Sequence, residues 1–217
     1  MIMVKNKEEV AEKKRRAQIL LKKLKKLFPN ARMVLRYSNN WELLVSVILS
    51  AQCTDKMVNK VTEKLFKKYK TLDDYVRVSK KEFERDVHST GFYHNKAKHI
   101  LASAKIIKEK YNGKVPNAME ELRTLPGVAR KTANVVLGNA FGIVEGIAVD
   151  THVARLSQRL GLTREKNPEK IEKDLMAILP KKEWFKFTYR MIEYGRKYCS
   201  ARTCPVDHPL HAFDGRS

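Results

Sequence analysis

Lys131 and Asp150 are the residues of this chain whose types and positions could carry out chemistry. Lys131 lies in Leu-Pro-Gly-Val-Ala-Arg-Lys-Thr-Ala-Asn (residues 125–134), and Asp150 lies in Val-Asp-Thr-His (residues 149–152). A lysine at the positive end of a helix, beside Arg130 and partly desolvated by a bound polyanion, is shifted toward its neutral amine. That amine forms Schiff bases with carbonyl-like carbons, such as C1′ of a deoxyribose that is losing its base. A nearby carboxylate stabilises positive charge on the sugar or moves protons.

Pro126 and Gly127 predict a hairpin between two helices. They end the preceding helix, and apolar residues then recur at helical spacing, which places the start of a new helix near Arg130. The first amides of a helix have no intrahelical acceptor and lie at the positive end of the helix dipole. The hairpin therefore predicts a site for one backbone phosphate of a nucleic acid, bound without reading its bases.

A simpler interpretation stays open for both residues. Lys131 could contact phosphate only, and Asp150 could serve only as the N-cap of a helix that begins at Thr151. A lone lysine and a lone aspartate are common at such positions, so the wider sequence has to decide.

The chain is strongly basic. It has 45 Lys and Arg against 24 Asp and Glu among 217 residues, a formal net charge of +21. This charge is typical of proteins that bind a polyanion, although ribosomal, nucleoid and membrane-surface proteins share it. With 43% hydrophobic residues, the chain can bury a core in one domain or in two small ones.

No segment predicts membrane insertion or export. The longest apolar runs, residues 43–51 and 133–144, are too short to span a bilayer, and the N-terminus lacks the apolar stretch of a signal peptide. Three cysteines do not make a disulfide framework in a chain of this size. We therefore expect a reducing cytoplasm as the compartment.

Apolar residues recur at helical spacing along nearly the whole chain, which predicts an all-α fold. An apolar stripe runs through residues 17–28 and ends at Pro29, and Thr54 or Asp55 should cap a later helix. Further helices are expected over residues 72–76, 80–87, 96–111, 119–124, 130–141, 151–160, 168–179 and 184–198.

Three segments together resemble one family. Residues 125–137 with 148–152 are similar to the hairpin and catalytic-aspartate signature of endonuclease III, a bifunctional DNA glycosylase and AP lyase of the helix–hairpin–helix–GPD superfamily. Residues 42–55 resemble that family's first barrel helix with the loop after it, and residues 91–97 resemble its second DNA-probing loop. The three motifs stand in the family's order within about residues 15 to 200.

The resemblance implies two helical domains with a DNA-binding cleft between them. Residues 33–143 would form a six-helix barrel that contains the hairpin, and residues 1–32 with 144–217 would form the second domain. Lys131 and Asp150 would then lie on opposite walls of one pocket, as an enzyme that flips a nucleotide requires.

The resemblance also implies roles for single residues. Lys131 matches the Schiff-base nucleophile, Asp150 the catalytic carboxylate, and Gln52 the residue that enters the duplex where the damaged base has left. Phe92 stands where the family usually has a leucine-type wedge against the opposite strand, and an aromatic ring can fill that gap by stacking. Gln52 could instead be an ordinary polar loop residue, and Phe92 a core aromatic.

The remaining DNA contacts are assigned to the hairpin and to the helix after Asp150. They are Gly127, Ala129, Arg130, Thr132 and His152. Thr132 and His152 could serve only helix packing or capping. Ala129 stands where the family most often has glycine, so a positive φ there would cost about 1 kcal/mol or shift the loop.

The C-terminal segment departs from the family. Endonuclease III usually carries four cysteines, spaced Cys-x6-Cys-x2-Cys-x5-Cys, that hold a four-iron cluster. Only Cys199 and Cys204 are present here, so we expect no such cluster and no cofactor. Cys199, Cys204, His208 and His211 are zinc-like ligand types at unusually tight spacing, and the alternative is a degenerate loop held by ordinary packing.

We therefore expect a monomeric, cytoplasmic, nucleoid-associated enzyme that acts on duplex DNA and has no membrane partner. It would remove a damaged base, an oxidised pyrimidine, through a Schiff base at Lys131 and cleave 3′ to the abasic site by β-elimination. One alternative is a non-catalytic helix–hairpin–helix DNA-binding protein, against which the intact Lys131 and Asp150 argue. The other is a basic architectural or RNA-binding protein, which has no need of the 149–152 segment.

Overall fold

The computed structural model describes residues 2–214, with side chains from residue 10 onward. Within that range the chain forms eleven α-helices and no β-strand, which confirms the all-α prediction. The helices are α1 (Ile2–Leu27), α2 (Asn40–Leu49), α3 (Asp55–Lys68), α4 (Leu72–Arg77), α5 (Lys80–Val87), α6 (Tyr93–Lys110), α7 (Met119–Arg123), α8 (Arg130–Val136), α9 (Thr151–Arg159), α10 (Pro168–Ile178) and α11 (Trp184–Lys197). No helix of the described range has the length and apolar character needed to cross a membrane.

Side-chain caps begin six of these helices. The capping residues are Asn39, Thr54, Thr71, Ser79, Asp150 and Asn167, and each accepts a hydrogen bond from a backbone N–H two or three residues later. One such cap stabilises a helix by about 1 kcal/mol. Thr54, not Asp55, is the cap of α3, and Pro168 opens α10 as its sequence position predicts.

The chain divides into two compact units. We call Val34–Ile143 the central unit, and Met1–Met33 with Val144–Ser217 the terminal unit.

The central unit is built around α2. Every residue from Leu43 to Leu49 is buried, because apolar side chains occupy nearly all positions there instead of one face. Ile100 and Ile107 of α6 belong to the same core. Tyr75 and Phe83 add an aromatic pair with ring centroids 5.7 Å apart.

The terminal unit places α1 among the C-terminal helices. The apolar stripe of α1 is buried there, through Ala17, Leu20, Leu21 and Leu24. Phe187 and Tyr194 of α11 and Leu156 of α9 complete this core. Tertiary packing brings the apolar stripe of α1 and the last helices of the chain into one core. No local sequence signal links these segments.

Candidate functional site

The hairpin lies between α7 and α8, where Pro126 and Gly127 predict it. Gly127 has φ +79°, a backbone conformation that glycine adopts without strain. Val128 N donates to Leu125 O at 3.1 Å and closes the turn. The next helix begins at Arg130, as predicted.

Helix α6 supports the hairpin from within the central unit. Ser103 Oγ donates to Pro126 O at 3.2 Å. An ideal Cβ built on Gly127 would lie 2.8 Å from Nδ1 of His99, closer than such atoms approach in proteins. Gly127 is therefore required both by its positive φ and by its close approach to His99.

Ala129 does not carry the strain that a positive φ would impose. Its φ is −81° in the extended region, so the condition under which alanine would be costly is not met, and the loop needs no glycine there. Ala129 is the N-cap of α8, and its methyl group cannot accept a hydrogen bond. The first amides of α8 therefore lack the side-chain cap that six other helices have, which leaves them suited to an anionic ligand.

Lys131 lies in the first turn of α8, and both Lys131 and Thr132 are partly buried. The helix was expected to run as one α-helix to Phe141. Instead it is α-helical to Val136 and π-helical over residues 137–141. Asn139 Nδ2 donates to Val135 O at 2.7 Å, and this side-chain donor to a helix carbonyl accompanies the change of winding.

Asp150 is partly buried and is the N-cap of α9. Its Oδ1 accepts a hydrogen bond from Val153 N at 2.8 Å, so the capping role is confirmed. A carboxylate has about four lone-pair sites, so a cap does not use up its acceptor capacity. The chain before Asp150 is fixed by Thr188 of α11, whose Oγ1 donates to Ala148 O at 2.9 Å.

His152 packs inside the terminal unit against Gly195 of α11. An ideal Cβ on Gly195 would collide with Nδ1 of His152, so glycine is required at this crossing. This contact supplies the packing role that the sequence left open for His152.

Gln52 and Phe92 share an unusual backbone conformation. Both are non-glycine residues with positive φ, 51° at Gln52 and 47° at Phe92, and both are exposed. Phe92 is 63% exposed and forms the N-cap of α6, so the core-aromatic interpretation is wrong. Each side chain stands at the tip of a loop of the central unit, available to a ligand.

Lys96 also belongs to this region, although its sequence pattern predicted no role for it. It is buried, and its Nζ donates to Leu49 O at 2.8 Å and to Thr90 O at 2.7 Å. Burial lowers the pKa of its ammonium. The one feature of the sequence that could have indicated the burial of Lys96 is its position in the 91–97 motif, directly before Ala97, which is also buried.

The predicted residues are divided between the two units. The central unit holds Gln52, Phe92 and the hairpin with Lys131, and the terminal unit holds Asp150 and His152.

The four candidate zinc ligands do not converge. Cys199 and Cys204 form a disulfide, although the count of three cysteines did not indicate a disulfide framework. Nδ1 of His208 lies 2.6 Å from the Tyr194 hydroxyl, and Nδ1 of His211 lies 2.8 Å from His208 O. Among the side chains of residues 10–214, no three of His, Cys, Asp or Glu are placed to hold a metal ion.

The C-terminal residues do not fit a four-iron cluster either. Such a cluster needs four thiolates, whereas Cys199 and Cys204 are bonded to each other. Arg155 occupies the space beside them, with Nη2 donating to Cys199 O at 2.7 Å and Nη1 3.5 Å from Cys199 Sγ. A disulfide and polar contacts, rather than apolar packing alone, hold this segment.

Comparison with known proteins agrees with these features. Residues 45–181 match the family model described as "HhH-GPD superfamily base excision DNA repair protein". The endonuclease III of Synechocystis sp. is 53% identical, over 89% of this chain and 89% of its own length. That of Bacillus subtilis is 48% identical, over 87% of this chain and 89% of its own length.

Solved structures lead to the same family. One endonuclease III in a non-covalent DNA complex and one trapped with DNA as a covalent intermediate each match with a TM-score of 0.90, at 46% identity over 93% of this chain and 95% of theirs. A thermostable thymine-DNA glycosylase, 20% identical with a TM-score of 0.81, shares the fold. The chain therefore belongs to the endonuclease III family of the HhH-GPD superfamily, and is a DNA glycosylase and AP lyase of base excision repair.

Proposed function

We propose that Lys131 is the nucleophile and Asp150 the catalytic carboxylate of this chain, acting on an oxidised pyrimidine in duplex DNA. The amine of Lys131 attacks C1′ as the bond from C1′ to the base breaks, and the base leaves with a proton. The bond from C1′ to the ring oxygen O4′ then breaks as O4′ takes up a proton, which leaves a Schiff base between Lys131 and C1′. The Schiff base loses a proton from C2′, and the bond between C3′ and its oxygen breaks. Water hydrolyses the remaining imine and returns the amine. Asp150 stabilises the cationic sugar or moves its protons.

The single observation that carries this proposal is the position of Lys131 in the first turn of α8, after a hairpin. The uncapped backbone amides at the start of this helix suit a phosphate. The helix has no side-chain cap, its turn is fixed by Gly127, and Arg130 adds charge beside the lysine. A 46% identical endonuclease III that was trapped covalently on DNA supports the same type of chemistry. The net charge of +21 favours duplex DNA as partner.

Gln52 and Phe92 take the roles of duplex probes in this proposal. Their exposed side chains on loops of the central unit can fill the gap that an extruded nucleotide leaves. Gly127, Ala129, Arg130 and Thr132 hold the backbone phosphate, and His152 positions the start of α9 near Asp150.

The proposed enzyme acts as a monomer without a cofactor, in the cytoplasm at the nucleoid. Cys199, which matches the first cluster ligand of the family, is bonded to Cys204 here, and each step above uses only protein groups and water.

Borohydride trapping tests the proposal. Incubation of the protein with duplex DNA that contains an abasic site, in the presence of borohydride, should give a covalent adduct. Lys131→Ala should abolish the adduct, whereas Lys105→Ala, an exposed lysine of α6, should leave it unchanged. An undiminished adduct from Lys131→Ala would show that another amine is the nucleophile. DNA binding without any adduct from the wild-type protein would instead support a non-catalytic DNA-binding protein.

A further inference from the structure

Lys96 is a buried cation of the central unit that no step of the proposed reaction uses. It is 4% exposed, although lysine is almost never fully buried unless it is paired. Its Nζ donates to two backbone carbonyl oxygens, Leu49 O at 2.8 Å and Thr90 O at 2.7 Å. The ammonium is thus used to join two pieces of backbone that are far apart in sequence.

These two carbonyls belong to the loops that carry Gln52 and Phe92. Leu49 is the last residue of α2, three positions before Gln52, and Thr90 ends a short turn two positions before Phe92. Carbonyl groups at the end of a helix lack intrahelical donors and lie at the negative end of its dipole. An ammonium satisfies both of these ends at once and ties the two loops together.

Both loops need such support. The left-handed backbone of Gln52 and Phe92 costs about 1 to 2 kcal/mol for each non-glycine residue, so the surrounding structure must hold it. The backbone N–H of Lys96 also donates to Phe92 O at 3.1 Å. Lys96 therefore holds the Phe92 loop through its main chain and its side chain together.

The same face of α6 extends this support to the hairpin. The residues on this face are Phe92, Lys96, His99 and Ser103, spaced by four, three and four positions. His99 lies against Gly127, and Ser103 Oγ donates to Pro126 O. One helix face thus contacts or anchors all three central-unit loops to which DNA contacts are assigned.

We propose that Lys96 is a positioning residue for nucleotide extrusion, whose ammonium holds the Gln52 and Phe92 loops in the arrangement that lets both side chains enter a duplex together. The inference rests on the proposed function of this site. It predicts a defect in opening the duplex, and no defect in the attack of Lys131 on a sugar that is already accessible. A misplacement of about 1 Å in a positioning element can lower a rate by about 100-fold.

The test compares Lys96→Met with Lys98→Met. Both variants remove one positive charge from α6, but Lys98 is exposed and joins no loops. Duplex DNA with 2-aminopurine opposite a tetrahydrofuran abasic analogue reports unstacking of the opposite base without any chemistry. We expect wild type and Lys98→Met to raise its fluorescence on binding and Lys96→Met to lose most of that rise. Excision of an oxidised pyrimidine by Lys96→Met should fall by about 10- to 100-fold.

Two further measurements separate positioning from general damage to the fold. Borohydride trapping on an abasic site in single-stranded DNA needs no extrusion, so Lys96→Met should match wild type there. In a Gln52→Ala/Phe92→Ala background, Lys96→Met should lower excision by less than about threefold more, because coupled residues are not additive. If Lys96→Met does not fold, Lys96→Gln takes its place in every measurement with the same expected losses, because its neutral side chain is one bond shorter and cannot reach both carbonyls.

Three results would overturn the inference. They are a normal 2-aminopurine rise with excision within twofold of wild type, equal losses in Lys98→Met, and a full loss that persists in the Gln52→Ala/Phe92→Ala background. Failure of the proposed function can be distinguished from these three results. Wild type itself would then give no adduct at Lys131, and the 2-aminopurine measurement would still test the role of Lys96.

Discussion

Arg159 of α9 and Asp214 near the C-terminus form a bidentate ion pair. Arg159 Nε lies 2.9 and 3.0 Å from the two carboxylate oxygens, and Nη2 lies 2.6 Å from Oδ2. Both side chains are only 13% exposed, so solvent screens the pair weakly. This pair fixes the end of the described chain to the terminal unit, in the segment where relatives are expected to have an iron–sulfur cluster.

Asp214→Asn should therefore destabilise the protein. The substitution leaves the partly buried Arg159 guanidinium without its charged partner, which should cost about 1 to 2 kcal/mol, less than the loss of one partner from a fully buried pair. Urea unfolding followed by circular dichroism measures the change in the free energy of unfolding. Asp207→Asn, an exposed residue of the same segment, is the matched control and should change it by less than about 0.5 kcal/mol. Equal effects of the two variants would show that the ion pair contributes nothing.

The Cys199–Cys204 disulfide predicts a thiol count and a metal content. Protein purified without reductant and then denatured should react with a thiol reagent at Cys53 alone, and at all three cysteines after reduction. Cys204→Ser should lower the free energy of unfolding by about 2 kcal/mol, the value expected for so short a loop, while Cys53→Ser leaves the disulfide intact. Iron analysis should find far less than one cluster per chain. Stoichiometric iron and sulfide would contradict the disulfide assignment.

His208 predicts a pH dependence of stability. Burial lowers the pKa of its imidazole below the ordinary 6.5, and the Asp214 carboxylate opposes this only in part. The unfolded chain then binds this proton at a higher pH than the folded chain, so stability is complete above pH 6.5 and declines as the pH falls through the lower pKa of the folded state. His208→Gln should flatten the curve of melting temperature against pH between 7.5 and 5. Parallel curves for wild type and variant would exclude His208 as the cause.

The sequence predicted best where a local signal fixes a local structure. Pro126 and Gly127 located the hairpin, Asp150 was recognised as a possible cap, and the apolar pattern located most helices within a few residues. Local capping and periodicity suffice for these features because their partners lie within one or two turns of the chain. The two catalytic candidates were found for the same reason, since both stand at helix starts within short motifs.

Features that depend on residues distant in the sequence could not be predicted from local patterns. The buried Lys96 differs from exposed lysines of α6 only through the carbonyls of Leu49 and Thr90, which tertiary packing brings to it. The Cys199–Cys204 pairing was missed for a different reason: the two residues are only five positions apart, but a count of cysteines does not show which of them pair. Phe92 is exposed although its type favours the interior.

Gly127→Ala and Ala129→Gly exchange the same two residue types, but only the first should weaken the protein. Gly127→Ala places a methyl group at positive φ and against His99, so we expect a loss of stability of about 1 kcal/mol or more and an affinity for abasic-analogue duplex at least about tenfold weaker. Ala129→Gly should bring no gain in either quantity, because φ at this position is already negative. Fluorescence anisotropy and thermal unfolding measure both effects. Tighter binding by Ala129→Gly would show that alanine restrains the hairpin after all.

Asp150→Asn separates the capping role of this residue from its catalytic role. Asparagine is as good an N-cap as aspartate, so α9 should keep its hydrogen bond to Val153 N and the free energy of unfolding should change by less than about 1 kcal/mol. The carboxylate charge is lost, and removal of a group that stabilises a charged transition state typically lowers the rate about 100- to 1000-fold. Single-turnover excision of an oxidised pyrimidine measures that rate, and Asn167→Asp, the reverse exchange at the cap of α10, is the control for cap chemistry. If Asp150→Asn keeps wild-type excision, the cap is its whole role, and the carboxylate must be sought elsewhere.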